Sequence, residues 1–274
     1  MHEWDIAALV GRTQRSHDEP YAAVLLNTPI PNAHIHTFQR IWSGANERIC
    51  ADGAANRLYG LGEQCALPTQ ICGDLDSIHT EVRAHYEAKG VPIVLRPSQY
   101  ATDLQKGIQA VEDIEGSVER HLVLFGGLTG RLDQTVHTLH VLWQLAPHTP
   151  SDRGVPDPND PRGGQLKKRS LTVSVSGNSV TVLLPAGDNR ILHDRGMLGK
   201  TCGILPLGTS AHVSTAGLEW NLGASLLTDG ALTSLGGFLS TSNHLAPGGD
   251  GTVELRTDAP VYWTVELKSD SDAR

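Results

Sequence analysis

Two aspartates sit two residues apart in Gly73-Asp74-Leu75-Asp76-Ser77. In extended chain such side chains point the same way, with Cα atoms roughly 6.6 Å apart. Magnesium takes oxygen ligands and keeps several waters, so the pair can hold one ion directly or through water. Without a cation, carboxylates about 4 Å apart repel by roughly 4 kcal/mol at an effective dielectric near 20. An Asx-turn that starts the following helix is the structural alternative. Thr102-Asp103 opens another helix, where the dipole favours an acid. With Asp74 and Asp76, Asp103 makes a third candidate magnesium ligand. Lys106, one turn later, can reach a phosphate.

Gly126-Gly127-Leu128-Thr129-Gly130-Arg131-Leu132-Asp133-Gln134 is a glycine-rich turn between a strand and a helix. Backbone N–H groups at such a turn can cradle phosphate oxygens. Arg131 offers planar, bidentate recognition of phosphate. No G-K-[ST] follows, so this is not a Walker A loop. His137 and His140 lack a nearby third ligand and read as a polar flank rather than a zinc site. Asp52-Gly53-Ala54-Ala55-Asn56 is another such turn, with Asp52 either orienting a ligand or capping a helix. Further on, Ser214, Thr215, Asn221, Ser242 and Asn243 form unusually polar stretches around Trp220, whose indole can stack on a flat heteroaromatic ring.

These residues need elements to hold them. Tyr21–Leu26 and His121–Phe125 are short apolar runs, Val91–Leu95 is β-rich, Glu47–Ala51 is a further strand candidate and Pro68–Cys72 a weakly apolar one, each followed by a helical pattern. Pro92 restricts its run to a strand start or an edge. The residues Leu104, Ile108 and Val111 repeat with helical spacing, as do Leu132, Val136, Leu139 and Trp143. Such alternation predicts a parallel sheet covered on both faces, with ligands beyond the strand carboxyl ends. The motifs lie at those ends. From Ser170 the pattern has period two, through Leu171–Ser176, Val180–Leu184, Thr201–Leu205, His212–Thr215, Thr252–Thr257 and Val261–Leu267. The expected fold is an α/β, Rossmann-like domain over residues 1–146, then an all-β sandwich over 171–274. Pro147–Ser170, rich in Pro, Gly and charge, reads as a solvated linker or insertion.

Lys and Arg number 22 against 30 Asp and Glu, a net charge of −8 that argues against a generally basic nucleic-acid surface. Any phosphorylated ligand then needs local cations or a metal. The cysteines Cys50, Cys65, Cys72 and Cys202 form no C-x-x-C pair and fit free buried thiols in a reducing compartment. No apolar run reaches the length of a membrane span or of a signal-peptide core. A cytoplasmic protein, free of membrane and nucleic acid, is expected.

Taken in order, ADGAANRLY (51–59), GDLDSI (73–78), TDLQKGI (102–108), GGLTGRLDQT (126–135), CGILPLG (202–208), STAGLEWNL (214–222) and STSN (240–243) resemble thiamine pyrophosphokinase of the eukaryotic kind. The resemblance implies transfer of a diphosphate from ATP to the hydroxyl of thiamine, giving thiamine diphosphate and AMP, in a homodimer with sites between subunits. It implies that Asp74, Asp76 and Asp103 hold Mg2+. Asp52, Gly53, Asn56, Lys106, Gly127, Gly130 and Arg131 would face ATP. Asp133, with Gln134, would position substrate and accept the alcohol proton. Ser214, Thr215, Trp220, Asn221, Ser242 and Asn243 would form the thiamine pocket. Ala54, Leu132 and His140 depart from the family pattern. A haloacid-dehalogenase-type phosphatase with Asp74 as nucleophile, and a non-catalytic thiamine or nucleotide sensor, are the competing readings.

Overall fold

A computed structural model describes residues 1–6, 20–151, 154–156, 158, 160–223, 231–232 and 239–273. In chain order, β1 (His2–Asp5) precedes β2 (Tyr21–Leu25), α1 (Ile35–Gly44), β3 (Glu47–Ala51), α2 (Ala54–Gly60), β4 (Gln70–Gly73), α3 (Thr80–Ala88), β5 (Ile93–Leu95), α4 (Asp103–Ile114), β6 (His121–Phe125), α5 (Leu132–Leu145) and β7 (Thr172–Ser176). Strands follow: β8 (Ser179–Leu184), β9 (Gly187–Leu192), β10 (Leu198–Leu205), β11 (Ala211–Ala216), β12 (Ala231–Leu232), β13 (Ser240–His244), β14 (Thr252–Thr257) and β15 (Val261–Leu267). The chain divides into two compact units, residues 18–177 and residues 1–17 with 178–274.

In the unit of residues 18–177, parallel strands run in the order β7-β6-β2-β3-β4-β5. Ala22–Leu25 and Leu122–Phe125 are buried along their length, which is why these strands read as unbroken apolar runs. After β2 the chain moves outward through β3, β4 and β5, then returns to the other side of β2 as β6. The β2/β6 boundary is therefore the topological switch point, where a crevice opens at the carboxyl ends. At the far edge, β5 leaves Leu95 exposed, as Pro92 anticipated. Helix α4 lies over β2, β3 and β4. Its close approach needs Gly107, because a Cβ there would meet Val24 Cγ1 at 2.8 Å. Thr102 and Gln105 form a capping box at its start.

Three expectations change. Helix α5 does not bury the stripe of Leu132, Val136, Leu139 and Trp143: Leu132 is 76% and Val136 57% exposed. Its inward face is instead Thr138, Val141, Leu142 and Leu145. The pivot is Thr138, which fits beneath Gly127, where a Cβ would come within 2.5 Å of Thr138 Oγ1. Secondly, β7 extends the parallel sheet by pairing with β6, so the first unit runs to residue 177 rather than 146. Thirdly, the described residues 160–170 are not a solvated linker. Arg169 is buried with Glu112 and Glu115, and Lys168 Nζ donates to the carbonyls of Gln144 (2.9 Å) and Pro150 (3.1 Å).

The other unit holds antiparallel strands in the order β13-β10-β15-β8, and a second sheet in the order β1-β9-β14-β11-β12 in which only β1 and β9 run parallel. Strands β1, β9 and β13 carry no apolar alternation and escape the sequence pattern. Asn189 on β9 shows why: it is buried, accepting from Trp4 Nε1 at 2.9 Å and donating to the carbonyls of Pro185 and Gly187. All four cysteines are buried and free. Among the described residues no helix is long and apolar enough to cross a membrane.

Candidate active site

At the carboxyl end of β3 the backbone turns through Asp52 at φ 47°, and beyond β4 it turns through Leu75 at φ 64°. The second turn, rather than an extended stretch, brings Asp74 and Asp76 together. Gly73 admits the first turn to the second, since a Cβ there would lie 2.7 Å from Asp52 Cβ. Ligand oxygens of Asp52, Asp74 and Asp76 all fall within 4.8 Å of one another. Asp52 is 1% exposed; Oδ2 accepts the Ser77 N–H at 3.2 Å, and Oδ1 is buried without a hydrogen-bond partner among the described residues. Burial, chiefly, and then Asp74 and Asp76 push the Asp52 carboxyl above its ordinary pKa, against the Ser77 hydrogen bond.

Asp103 lies outside this trio. It meets Asp74 through Lys106, whose buried Nζ is 3.4 Å from Asp74 Oδ2 and 3.7 Å from Asp103 Oδ1. Burial works against the Asp74 carboxylate, but Lys106 and hydrogen bonds that include Gln99 outweigh it and hold the pKa below its usual value. For Asp103 burial prevails over Lys106, helped by the other carboxylates, and the pKa rises. Asn56 serves the turn itself: Nδ2 donates to the Ser77 carbonyl at 2.8 Å and Oδ1 accepts from the His79 N–H at 3.0 Å. Gly53 sits against Asn27, a residue the sequence reading missed.

Opposite these acids, Gly126, Gly127 and Gly130 all adopt φ near +90°. The turn is anchored by Ser176 Oγ, which accepts from the Leu128 N–H and donates to the Gly126 carbonyl. A cavity of about 560 Å³ lies between, lined by Asn27, Asp74, Gln99, Asp103, Lys106, Gly127, Gly130, Arg131 and Gln134 among others. Arg131 and Asp133 are exposed and paired with each other at 3.1 and 2.5 Å. That pairing holds the Asp133 carboxyl below its usual pKa. His137 Nε2 lies 2.8 Å from Thr102 Oγ1, tying α5 to the cap of α4.

In the β-rich unit Trp220 is 54% exposed, its ring 4.9 Å from the His244 imidazole, which lies 3.1 Å from Glu219. Buried Asn243 holds the Trp220 backbone from both sides, accepting from its N–H and donating to its carbonyl. Asn221 Oδ1 accepts from the Leu218 N–H and from Thr215 Oγ1. Ser242 is exposed on β13. Ser214 lines two shallow cavities, of about 260 and 510 Å³, the first shared with Thr215. Glu219 and His244, which brace the indole, were not singled out by the sequence pattern.

Residues 38–151 match the family model for the thiamin pyrophosphokinase catalytic domain, and residues 188–262 match that for the thiamin pyrophosphokinase vitamin B1 binding domain. Thiamine pyrophosphokinase 1 of Oryza sativa subsp. japonica is 30% identical over 267 residues, covering 91% of this chain and 88% of the relative. The chain belongs to the thiamine pyrophosphokinase family. A thiamin pyrophosphokinase 1 from Caenorhabditis elegans is 26% identical, across 87% of this chain and 86% of that one. The fold agrees with the thiamin pyrophosphokinase crystal structure from yeast, at a TM-score of 0.73 and 23% identity over 97% of this chain and 91% of that one. The two family models cover both units, and the acidic turns, Lys106 and the glycine turn all fall in the catalytic match.

Proposed function

We propose that this protein is a thiamine diphosphokinase, which transfers the terminal diphosphate of ATP to the hydroxyl of thiamine and releases AMP. The observation that carries the proposal is one cavity at a sheet switch point, lined by Asp74, Asp103, buried Lys106, a glycine turn and Arg131, with Asp74 also part of the acidic trio. In this reading the first unit is a Rossmann-like nucleotide domain and the second a β-sandwich that binds thiamine.

The residues fit a divalent cation. Among the described residues Asp52 Oδ1 is buried without a donor, and three carboxylates offer oxygens within 4.8 Å of one another. Asp52, Asp74 and Asp76 would hold Mg2+, which when bound would neutralise phosphate charge. Asp103 would act beside them through Lys106, and Asn56 by fixing their turn. Lys106 stands where it can pair with a phosphate oxygen, and the Gly127–Gly130 turn, whose Gly127, Thr129 and Gly130 line the cavity, would offer backbone N–H groups to another. Displacement at phosphorus depends mainly on such positioning and charge neutralisation. Asp133, held acidic by Arg131, suits orienting that guanidinium better than accepting the alcohol proton. Trp220, framed by Asn243, offers a face for a heteroaromatic ring, with Ser214, Thr215, Asn221 and Ser242 nearby in sequence or sheet. A homodimer would cover the exposed Leu132 and Val136, and the free buried thiols suit the cytoplasm. The matches to a thiamin pyrophosphokinase catalytic domain and to its vitamin B1 binding domain favour this reading over a phosphoaspartyl phosphatase or a pure sensor.

The test is incubation with ATP, thiamine and Mg2+, followed by product identification. Thiamine diphosphate and AMP in equal amounts are expected; ADP as the nucleotide product would reject diphosphate transfer.

A further inference from the structure

Helix α4 is buried on its polar side as well as its apolar one. Gln105, Gln109 and Glu112, spaced along one stripe, are each 7% exposed or less. Their partners come from residues 164–169. Gln105 Nε2 donates to the Gly164 carbonyl at 2.9 Å, Gln109 Nε2 to the Gln165 carbonyl at 3.2 Å, and Glu112 Oε1 accepts the Lys167 N–H at 2.7 Å. Arg169 then pairs with Glu112 and Glu115. The same segment closes the far end of α5: the Arg169 N–H donates to the Leu145 carbonyl at 2.7 Å, and Lys168 Nζ to the Gln144 carbonyl. These two helices carry Asp103 and Lys106 at the head of one, and Arg131 and Gln134 at the head of the other.

We infer that residues 160–169 are a positioning strap that sets how the two helix heads present their charged groups to the phosphates, with Gln105 as its key residue. Gln105 joins both systems. Its Oε1 accepts the Thr102 N–H at 3.0 Å in the cap beside Asp103, while its Nε2 holds the strap. The inference rests on the proposed phosphate site and adds to it a positioning element outside the cavity.

Two variants separate strap from cap. Gln105→Glu keeps an acceptor for the Thr102 N–H, since Glu is a normal third residue of a capping box, and loses the Nε2 donor to the Gly164 carbonyl at 2.9 Å and, more weakly, to Gln144 Oε1 at 3.5 Å. Gly164→Ala leaves the helix untouched but places a Cβ 2.8 Å from Gln105 Nε2 at φ +82°. Amide hydrogen exchange over residues 102–108 is expected to quicken about fivefold in both, the worth of one net hydrogen bond, with β6 amides unchanged. AMP formation is expected to slow about fivefold in kcat, with thiamine KM little altered. Faster exchange or a lower Tm with wild-type kcat in both variants would overturn the inference. So would slowing in Gln105→Glu alone, which would mark an effect of the added charge. A wild-type protein that forms no AMP would refute the functional reading instead. Exchange unmoved in both variants would overturn the strap whatever the product analysis shows.

Discussion

Asp52→Asn should stabilise the protein without divalent cations and abolish its response to them. Asn tolerates the left-handed backbone that Asp52 adopts at φ 47° and keeps an oxygen for the Ser77 N–H. What it removes is a charge 1% exposed to solvent, within 4.8 Å of two other carboxylates. At an effective dielectric near 20, each such pair costs about 3 kcal/mol before screening. Asp74 and Asp76 retain solvent contact, which reduces the relief to roughly 1–2 kcal/mol in total. For a chain of this size that corresponds to a Tm about 2–6 °C higher in EDTA. With Mg2+ the order should reverse, because a ligand at 100 times its Kd stabilises the wild type by about 2.7 kcal/mol and the variant loses a ligand group. Thermal melts in EDTA and in a magnesium series, with AMP formation measured on the same samples, give all three quantities. A variant that melts lower than wild type in EDTA and keeps the full magnesium shift would refute both the repulsion and the metal assignment.

Three further outcomes are expected. Burial depresses the pKa of His193 from 6.5 to about 4, so its neutral form contributes stability above 6.5 that is lost as the pH falls towards 4. His193→Phe should remove roughly 3 kcal/mol of that pH dependence, read from urea midpoints between pH 7 and 4. Arg169→Met should cost about 3–5 kcal/mol in urea unfolding, by leaving Glu115 buried without Arg169 and Glu112 with Arg162 alone, and adding Glu115→Gln should restore part of it. Trp220→Ala should raise thiamine KM about tenfold with kcat largely kept, and Trp220→Phe should recover most of the loss in steady-state assays, as expected when an aromatic face supplies one to two kcal/mol.

The parts of this molecule that were legible in the sequence are those whose cause is local. Strands β2 and β6 are buried along their length, so their apolar character shows in any five-residue window. The acids and glycines mark strand ends because these turns need positive φ, which glycine and Asp52 take, and because aspartate suits turns. Where the cause is a neighbour distant in the chain, local pattern misleads. Helix α5 carries two possible inward stripes, and the choice belongs to Thr138 meeting Gly127, not to the stronger hydrophobic period. A helix start at a neighbouring strand end singled out Asp103 as the third acid, yet Asp52 closes the trio because β3 and β4 are adjacent and Gly73 lets their turns touch. The strap looked like a solvated linker because its partners, Gln105, Gln109 and Glu112, make a polar stripe that reads equally well as facing water. That stripe holds the general point: a helix polar on one face is exposed only if no other chain can satisfy those groups. Here residues 164–169 satisfy them with main-chain carbonyls and N–H groups, which any sequence supplies. The contact is therefore written in α4 and, Gly164 apart, almost invisible in the strap, and changes to the helix stripe should matter more than side-chain changes along residues 165–167.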